Sequence, residues 1–471
     1  MTAALLIDFG STYTKLRAID LERRSVLGSG QGPSTVASDI TVGMKAALAD
    51  LERRLGALPK FKYRLASSSA AGGLRMITIG LVRELTAEAA RQAALGAGAR
   101  LVGTFAYRLT AADLAQIAAL APDIVLLAGG TDGGNSDVIV HNARMLARST
   151  LACPIVYAGN RAAADEAGMP LAAKTVIVAE NVMPEFNVLD IEPARAAIRQ
   201  VFIDRIVHAK GIDRASAEFD QVLMPTPAAV MEGARLVADG CASASGLGEL
   251  LVVDPGGATT DVHSVASGEP ATPGVIPRGL PEPRVKRSVE GDLGMRHNAA
   301  TIVEAAGLDA IARDAGLLSQ RVTSLVEQFT RDVEHLPDNA DEHALDQSLV
   351  CAAVRIAVRR HCGSVETVYT VHGPVTVQQG KDLTTVKTVI GTGGALAHGR
   401  DPHAVLQTAL ADPAEPLSLR PRAPRLLVDR DYLLYACGLL GAVEPEAALE
   451  LALKHMIPAG EEQRHGRTLN A

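Results

Sequence analysis

The sequence predicts an α/β protein with two domains of duplicated topology. Short β-rich runs alternate with longer helical patterns over the first two-thirds of the chain, which implies parallel sheet with helices on its faces. Two segments about 246 residues apart repeat one plan: an Asp at a strand end, a Gly turn, hydroxyls and a return strand. A third Gly-rich turn, Gly391-Thr392-Gly393-Gly394-Ala395, closes a later apolar strand. With 471 residues, 48% of them apolar and 21% charged, the chain can fill two or three domain cores.

The elements follow in order. Residues 5–8 and 13–19 flank the turn 9–12 as a β-hairpin, and 39–55 continues as a helix. An apolar run at 63–66 ends in Ser67-Ser68-Ser69, and 87–97 has helical spacing. Residues 124–128 form a buried strand before the loop Gly129-Gly130-Thr131-Asp132-Gly133-Gly134 and a helix at 137–147. Strands are predicted again at 154–158 and 175–178, then helices at 193–209 and 228–238, the second just after Pro225-Thr226-Pro227. Residues 250–254 form the next strand, and the Pro- and Gly-rich span 268–283 is irregular. The stretch 298–360 is mostly helical, 365–377 a hairpin, 386–390 a strand, 413–425 a linker and 446–455 a final helix. The predicted division is 1–225 with an inserted β/α region, 226–412 with a helical insertion, and a C-terminal segment 413–471.

Composition excludes several function classes. The net charge is −7, from 46 basic and 53 acidic side chains, which opposes general nucleic-acid binding. Aromatics are 3% with no Trp, so stacking platforms for single strands lack material. Five scattered cysteines fit a reducing compartment, and His361 beside Cys362 has no companion ligands for a metal. The N-terminal apolar run is too short for a signal peptide, and no run is long enough to span a membrane. The expectation is a cytoplasmic protein.

The repeated hairpins carry the chemistry. They read Asp8-Phe9-Gly10-Ser11-Thr12-Tyr13-Thr14-Lys15 and Asp254-Pro255-Gly256-Gly257-Ala258-Thr259-Thr260-Asp261. Glycines let backbone N–H groups approach phosphate oxygens, and successive N–H groups make an anion nest. Hydroxyls add donors, and a strand-end Asp can hold Mg²⁺ through water. Two copies imply a duplicated domain clamping nucleotide phosphates from both sides of a cleft. The Gly393-Gly394-Ala395 turn suits an adenine ring lying against backbone. Other nucleotide routes fail: no GxxxxGK[ST] is present, the 28–32 run is not GxGxxG, and no GxSxG elbow exists.

The two hairpins and the Gly-Gly-Ala turn, in this order, resemble the actin/Hsp70/sugar-kinase ATPase superfamily, whose domains are ribonuclease H-like. Within it, residues 126–135 (LLAGGTDGGN), 254–264 (DPGGATTDVHS), 289–296 (VEGDLGMR) and 386–394 (VKTVIGTGG) resemble the MutL/GlmL family. Those proteins are found beside adenosylcobalamin-dependent glutamate mutase and share only a name with mismatch-repair MutL. The resemblance covers essentially the whole chain. It implies an ATP-dependent accessory or reactivating factor for a cobalamin-dependent mutase, with slow ATP hydrolysis and the mutase subunits as partners.

The resemblance also implies roles. Gly10, Ser11 and Thr12 match the first phosphate loop, and Gly256, Gly257, Ala258 and Thr260 the second. Asp8 and Asp254 match the carboxylates near Mg²⁺, with Thr259 near the γ-phosphate. Asp261 steadies a nearby cation or the loop, and Gly393, Gly394 and Ala395 contact adenosine. Lys15 balances phosphate charge or is a solvated strand lysine. One departure is clear: chaperone members carry Glu before the Pro-Thr that opens the connecting helix, and here that position is Met224. Fast hydrolysis then needs Asp132, Glu180 or another carboxylate as substitute. Pro255 also removes one backbone donor from the second hairpin. Residues 67–75 are read as cleft-lining, and 290–296 as a hinged loop that reports nucleotide state. The rival readings are a small-molecule kinase, with Asp132 as its base, and a nucleotide-binding scaffold without turnover.

Overall fold

The computed structural model describes residues 2–10, 13–35, 39–68, 74–209 and 220–460. The chain divides into two compact units. The first comprises Met1–Leu236, Arg278–Lys286 and Tyr435–Leu451; the second comprises Val237–Pro277, Arg287–Leu434 and Ala452–Ala471. Both units are therefore discontinuous in sequence, whereas the sequence predicts continuous blocks. The residues after 434 divide because Gly438 meets the connecting helix Thr226–Asp239 with no room between them. A Cβ on Gly438 would sit 1.9 Å from the Ala229 carbonyl oxygen.

In the first unit, one five-stranded sheet runs in the order Gln221–Pro225, Phe61–Ser68, Ala3–Phe9, Tyr13–Asp20, Ser25–Pro33. Ala3–Phe9 pairs antiparallel with Tyr13–Asp20 and parallel with Phe61–Ser68, and every residue of Ala3–Phe9 is buried. Antiparallel strands on one side and parallel strands on the other are the ribonuclease H-like arrangement that the resemblance implies. The third strand, Ser25–Pro33, is bare on one face because Gly30 and Gly32 lie against the helix Ile40–Leu55. A Cβ on Gly30 would be 2.4 Å from the Ala47 carbonyl oxygen, and one on Gly32 would be 2.5 Å from that of Gly43. Asp39 caps this helix, its side chain accepting from the Thr41 N–H.

The inserted β/α region of this unit is a second five-stranded sheet, all parallel. Its order is Arg100–Ala106, Arg75–Gly80, Ile124–Leu127, Ile155–Tyr157, Val176–Val178. Successive strand residues feed opposite cores, as a sheet covered on both faces requires. Leu126 and Val156 join the core that includes the first sheet, while Val125, Leu127 and Ile155 pack with Ile139, Val140 and Leu146 of the helix Asp137–Arg148.

The second unit repeats the plan. Its sheet has the order Val285–Glu290, Thr260–Val265, Leu250–Pro255, Thr388–Gly391, Arg425–Asp429, Met456–Pro458. Leu250–Pro255 pairs antiparallel with Thr260–Val265 and parallel with Thr388–Gly391, as Ala3–Phe9 does with its neighbours. The duplicated actin/Hsp70/sugar-kinase fold class stands on this shared strand order. The helical insertion is built of Ala299–Ala306, Leu308–Ala315, Ser319–Arg331 and Ala340–His361, and the hairpin Ser364–Thr370/Gly373–Gln379 follows. Phe329, Leu345, Leu349 and Val354 join this insertion to the sheet in one apolar core. Among the described residues no helix is long and apolar enough to cross a membrane.

Candidate functional site

The first hairpin places Asp8 at a strand end, facing Lys15 across the antiparallel pair and Ser67 across the parallel one. Asp8 is 3% exposed, and Thr226 donates its hydroxyl to Asp8 Oδ1 at 2.6 Å. Thr226 Oγ1 also lies 3.2 Å from Ser67 Oγ. Burial pushes the Asp8 carboxyl above its ordinary range; the Lys15 charge, the Thr226 and Ser67 hydroxyls and the Arg17 charge pull the other way. A cation brought next to Asp8 would hold it ionised. The turn closes by the Gly10 N–H donating to the Tyr13 carbonyl at 3.0 Å, and a Cβ on Gly10 would be 2.6 Å from that oxygen. Ser11 and Thr12 lie outside the described residues, as do residues 69–73 of the segment read as cleft-lining.

The second hairpin matches position for position. The Gly256 N–H donates to the Thr259 carbonyl at 2.8 Å, the counterpart of the Gly10–Tyr13 bond. Asp254 corresponds to Asp8, is half-buried, and faces Asp261 where Asp8 faces Lys15. Gly257 and Ala258 are exposed, and the N–H groups of Gly257, Ala258 and Thr259 have no acceptor among the described residues. Three consecutive open donors at a Gly-rich turn make a nest for an anion.

The Gly-Gly-Ala turn reaches this hairpin. The Thr392 N–H donates to the Val253 carbonyl at 2.9 Å, and Gly393 has φ +86°. A Cβ on Gly393 would lie 2.2 Å from Asp254 Oδ1, so only glycine lets the turn approach that carboxylate. The short helix Gly394–Ala397 follows, and a cavity of about 680 Å³ lies beyond it. His398, Arg400, His403 and Arg430 line that cavity with Leu396 and Val428. Asp429 is buried beneath the turn, accepts from Thr392 Oγ1 at 2.8 Å, and has its carboxyl raised by burial.

Other residues singled out in the sequence are engaged in the chain itself. Asp261 pairs with Arg287 at 2.7 Å; both are less than 10% exposed, so the cation Asp261 meets is a guanidinium. His263, buried beside this pair, has its pKa pushed down to about 3 by burial and then by the Arg287 charge. The Thr260 hydroxyl donates to the Leu293 carbonyl at 2.7 Å. Asp132 fastens its own loop, its Oδ1 accepting from the Arg161 N–H at 2.8 Å and Asn181 Nδ2 at 2.9 Å. Met224 is 7% exposed and in register with Ser67, one residue before the strand ends. Thr226 and Ser67 are partners of Asp8 that no local pattern in the sequence links to it. The signal in the sequence was the Pro-Thr that opens the connecting helix: Thr226 is its first residue.

The model of the MutL protein family matches residues 4–456. Protein MutL of Clostridium tetanomorphum is 45% identical over 460 residues, covering 97% of this chain and 100% of that protein. Among solved structures, the chain is similar to xylulose kinase from Bifidobacterium adolescentis, at 11% identity and TM-score 0.32, covering 98% of this chain and 95% of that one. It is also similar to acetate kinase from Porphyromonas gingivalis, at 8% identity and TM-score 0.30, covering 93% of this chain and 99% of that one. Because the family model matches residues 4–456 and the Clostridium relative is 45% identical over 97% of this chain, this chain belongs to the MutL protein family, which shares only its name with the mismatch-repair protein.

Proposed function

We propose that this protein is a cytoplasmic, ATP-binding accessory factor that reactivates an adenosylcobalamin-dependent mutase of the glutamate mutase kind. The observation that carries nucleotide binding is the repeated hairpin, with a strand-end Asp and a Gly N–H closing the same turn in each unit. Membership of the MutL family supports the accessory role.

The residues fit a magnesium nucleotide. Asp8 and Asp254 offer hard oxygen ligands at strand ends, and half-buried Asp254 leaves room for ligation through water. The open N–H groups of Gly257, Ala258 and Thr259 suit phosphate oxygens, and the cavity beyond Gly394–Ala397 suits the nucleoside. Magnesium, when bound, offsets the phosphate charge. Gly10 and Lys15 in the first unit, and Thr259, Gly393, Gly394 and Ala395 in the second, are the further candidate contacts, and Ser11 and Thr12 belong to the first hairpin by sequence. ATP binding shifts the protein between shapes only as far as it binds them differently, and the mutase reads that difference.

Apolar Met224, where chaperone relatives in the superfamily carry Glu, favours slow turnover or none. The engaged Asp132 weakens the kinase reading, because a base must face an acceptor hydroxyl. Mutase inactivated by hydroxocobalamin should regain activity with this protein, MgATP and fresh adenosylcobalamin. Recovery should fail without ATP and fail with Asp254→Ala, which keeps its fold because a half-buried strand-end carboxylate is outside the core. Equal recovery with and without the protein refutes the reactivating role. Full recovery without phosphate release identifies a scaffold that uses nucleotide as a structural ligand.

A further inference from the structure

The second phosphate hairpin is held from behind by the segment that follows Val285–Glu290. Its carbonyls, rather than its N–H groups, are the points of attachment. Gly256 O accepts from the Met295 N–H at 3.0 Å, and Gly257 O accepts from the N–H groups of Arg296 at 2.9 Å and His297 at 3.0 Å. Ala258 O accepts from Asn298 Nδ2 at 3.1 Å. Gly294 approaches so closely that a Cβ there would sit 2.4 Å from the Ala258 carbonyl carbon.

This attachment fixes the other side of each peptide. In a planar trans peptide the C=O and the following N–H point in opposite directions. Anchoring the carbonyls of Gly256, Gly257 and Ala258 therefore aims the N–H groups of Gly257, Ala258 and Thr259 away from the anchor. Those are the three donors without an acceptor among the described residues. The nest is thus shaped by residues 293–298 and not by the hairpin alone.

The anchor is in turn mounted on the helix Ala340–His361. Arg296 donates from Nη1 to Asp346 Oδ1 at 2.6 Å and to the Met295 carbonyl at 3.1 Å. Its Nε reaches the His335 carbonyl at 3.3 Å, and its guanidinium carbon stands 4.7 Å from the centre of the Phe329 ring. At the other end, Arg360 Nη1 donates to Glu290 at 2.7 Å and to Asp292 at 2.8 Å. Arg296 is 12% exposed in its side chain, while Arg360 is 37% exposed, so the Arg296 clip is the less screened of the two.

We infer that Arg296 is a positioning residue for phosphate binding: it holds the 293–298 segment that aims the N–H groups of Gly257, Ala258 and Thr259. This rests on the ATP reading above and names the part of the chain that sets its affinity. The test compares wild type with Arg296→Met, which keeps an apolar stem on Phe329, and with Arg296→Lys, which keeps a charge near Asp346. Hydrogen exchange without nucleotide and MgATP calorimetry are measured at a temperature where each protein is folded. The methionine variant should exchange the amides of residues 295–297 faster, with the rest of the helical insertion unchanged. It should bind MgATP about tenfold more weakly, the effect of one lost charge-assisted hydrogen bond. Lysine should recover part of both. Wild-type MgATP affinity in the methionine variant, or exchange raised uniformly over the insertion, overturns the inference. If Arg296→Met does not fold, Arg360→Met tests the same anchor from its other end by the same two readouts. If wild type binds no MgATP, the proposed function falls, and the exchange data alone decide whether Arg296 orders this hairpin.

Discussion

Thr226→Val is the most informative single change in the first unit. Valine keeps the β-branched shape and replaces only the hydroxyl that Asp8 Oδ1 accepts at 2.6 Å. Thr226 is 6% exposed and Asp8 3%, so water does not replace the lost donor. A hydrogen bond to a charged acceptor contributes about 1.5–3 kcal/mol, and about 2 kcal/mol is expected here because Ser67 Oγ remains as a long second donor at 3.5 Å. In a unit of this size that lowers the melting temperature by about 4–8 °C. The pH dependence has a definite sign. Burial already raises the Asp8 carboxyl above its unfolded value of 3.8, so ionised Asp8 subtracts from stability as pH rises through its folded pKa. Removing a donor enlarges that subtraction. The valine penalty should be largest where Asp8 is ionised, above its raised folded pKa, and shrink as pH falls through that pKa. Thermal melts of wild type, Thr226→Val, Asp8→Asn and the double variant form a cycle. In the Asp8→Asn background the valine should cost about 1 kcal/mol less, because the acceptor is neutral. Strict additivity, or a valine penalty independent of pH, would refute the assignment of Thr226 to the Asp8 carboxylate.

Gly393→Ala should disable the second site locally: alanine is strained at φ +86°, and its methyl falls on Asp254 Oδ1. A loss of about 1–3 kcal/mol and of MgATP binding is expected, and a variant with wild-type melting and affinity would contradict the geometry. The His335–Glu342 pair gives the second unit a pH profile. Its hydrogen bond holds Glu342 down to about 2, against 4.5 unfolded, and raises His335 above 6.5. The carboxylate's contribution is present above pH 4.5 and lost as pH falls towards 2; the imidazolium's is present below pH 6.5 and lost as pH rises through its folded pKa. His335→Gln should flatten the decline in melting temperature from pH 6 to pH 9, and parallel wild-type and variant slopes would exclude this pair as its source.

Both hairpins were legible in the sequence because each joins an apolar β run, a strand-end Asp and a Gly turn within eight residues. The strand order around them was not, since it depends on long-range pairings. Gln221–Pro225 completes the first sheet with only five residues, and Ser25–Pro33 lacks a strand pattern because Gly28, Gly30 and Gly32, which lie against the helix, have low β-propensity. Leu434–Gly441 was missed for a related reason, as Gly438 interrupts its helical pattern at the contact with Ala229. In the site, Asp8 and Asp254 announced themselves by position. Thr226 did not, being 218 residues from Asp8. Asp261 read as a cation-facing acid, and its partner Arg287 comes from a strand that no local pattern linked to it. The carbonyl anchors from 293–298 were equally invisible, because backbone donors carry no residue signature.

The bare face of Ser25–Pro33 has an evolutionary consequence. Every amino acid that can replace glycine is larger, so Gly30 and Gly32 can change only in the direction that meets the backbone oxygens of Ala47 and Gly43. Backbone, unlike a side chain, has no rotamer to yield with, and the helix Ile40–Leu55 must retreat as a body before a single methyl fits. Divergence at this seam is a ratchet with one tooth: strand and helix can drift at their contact only together.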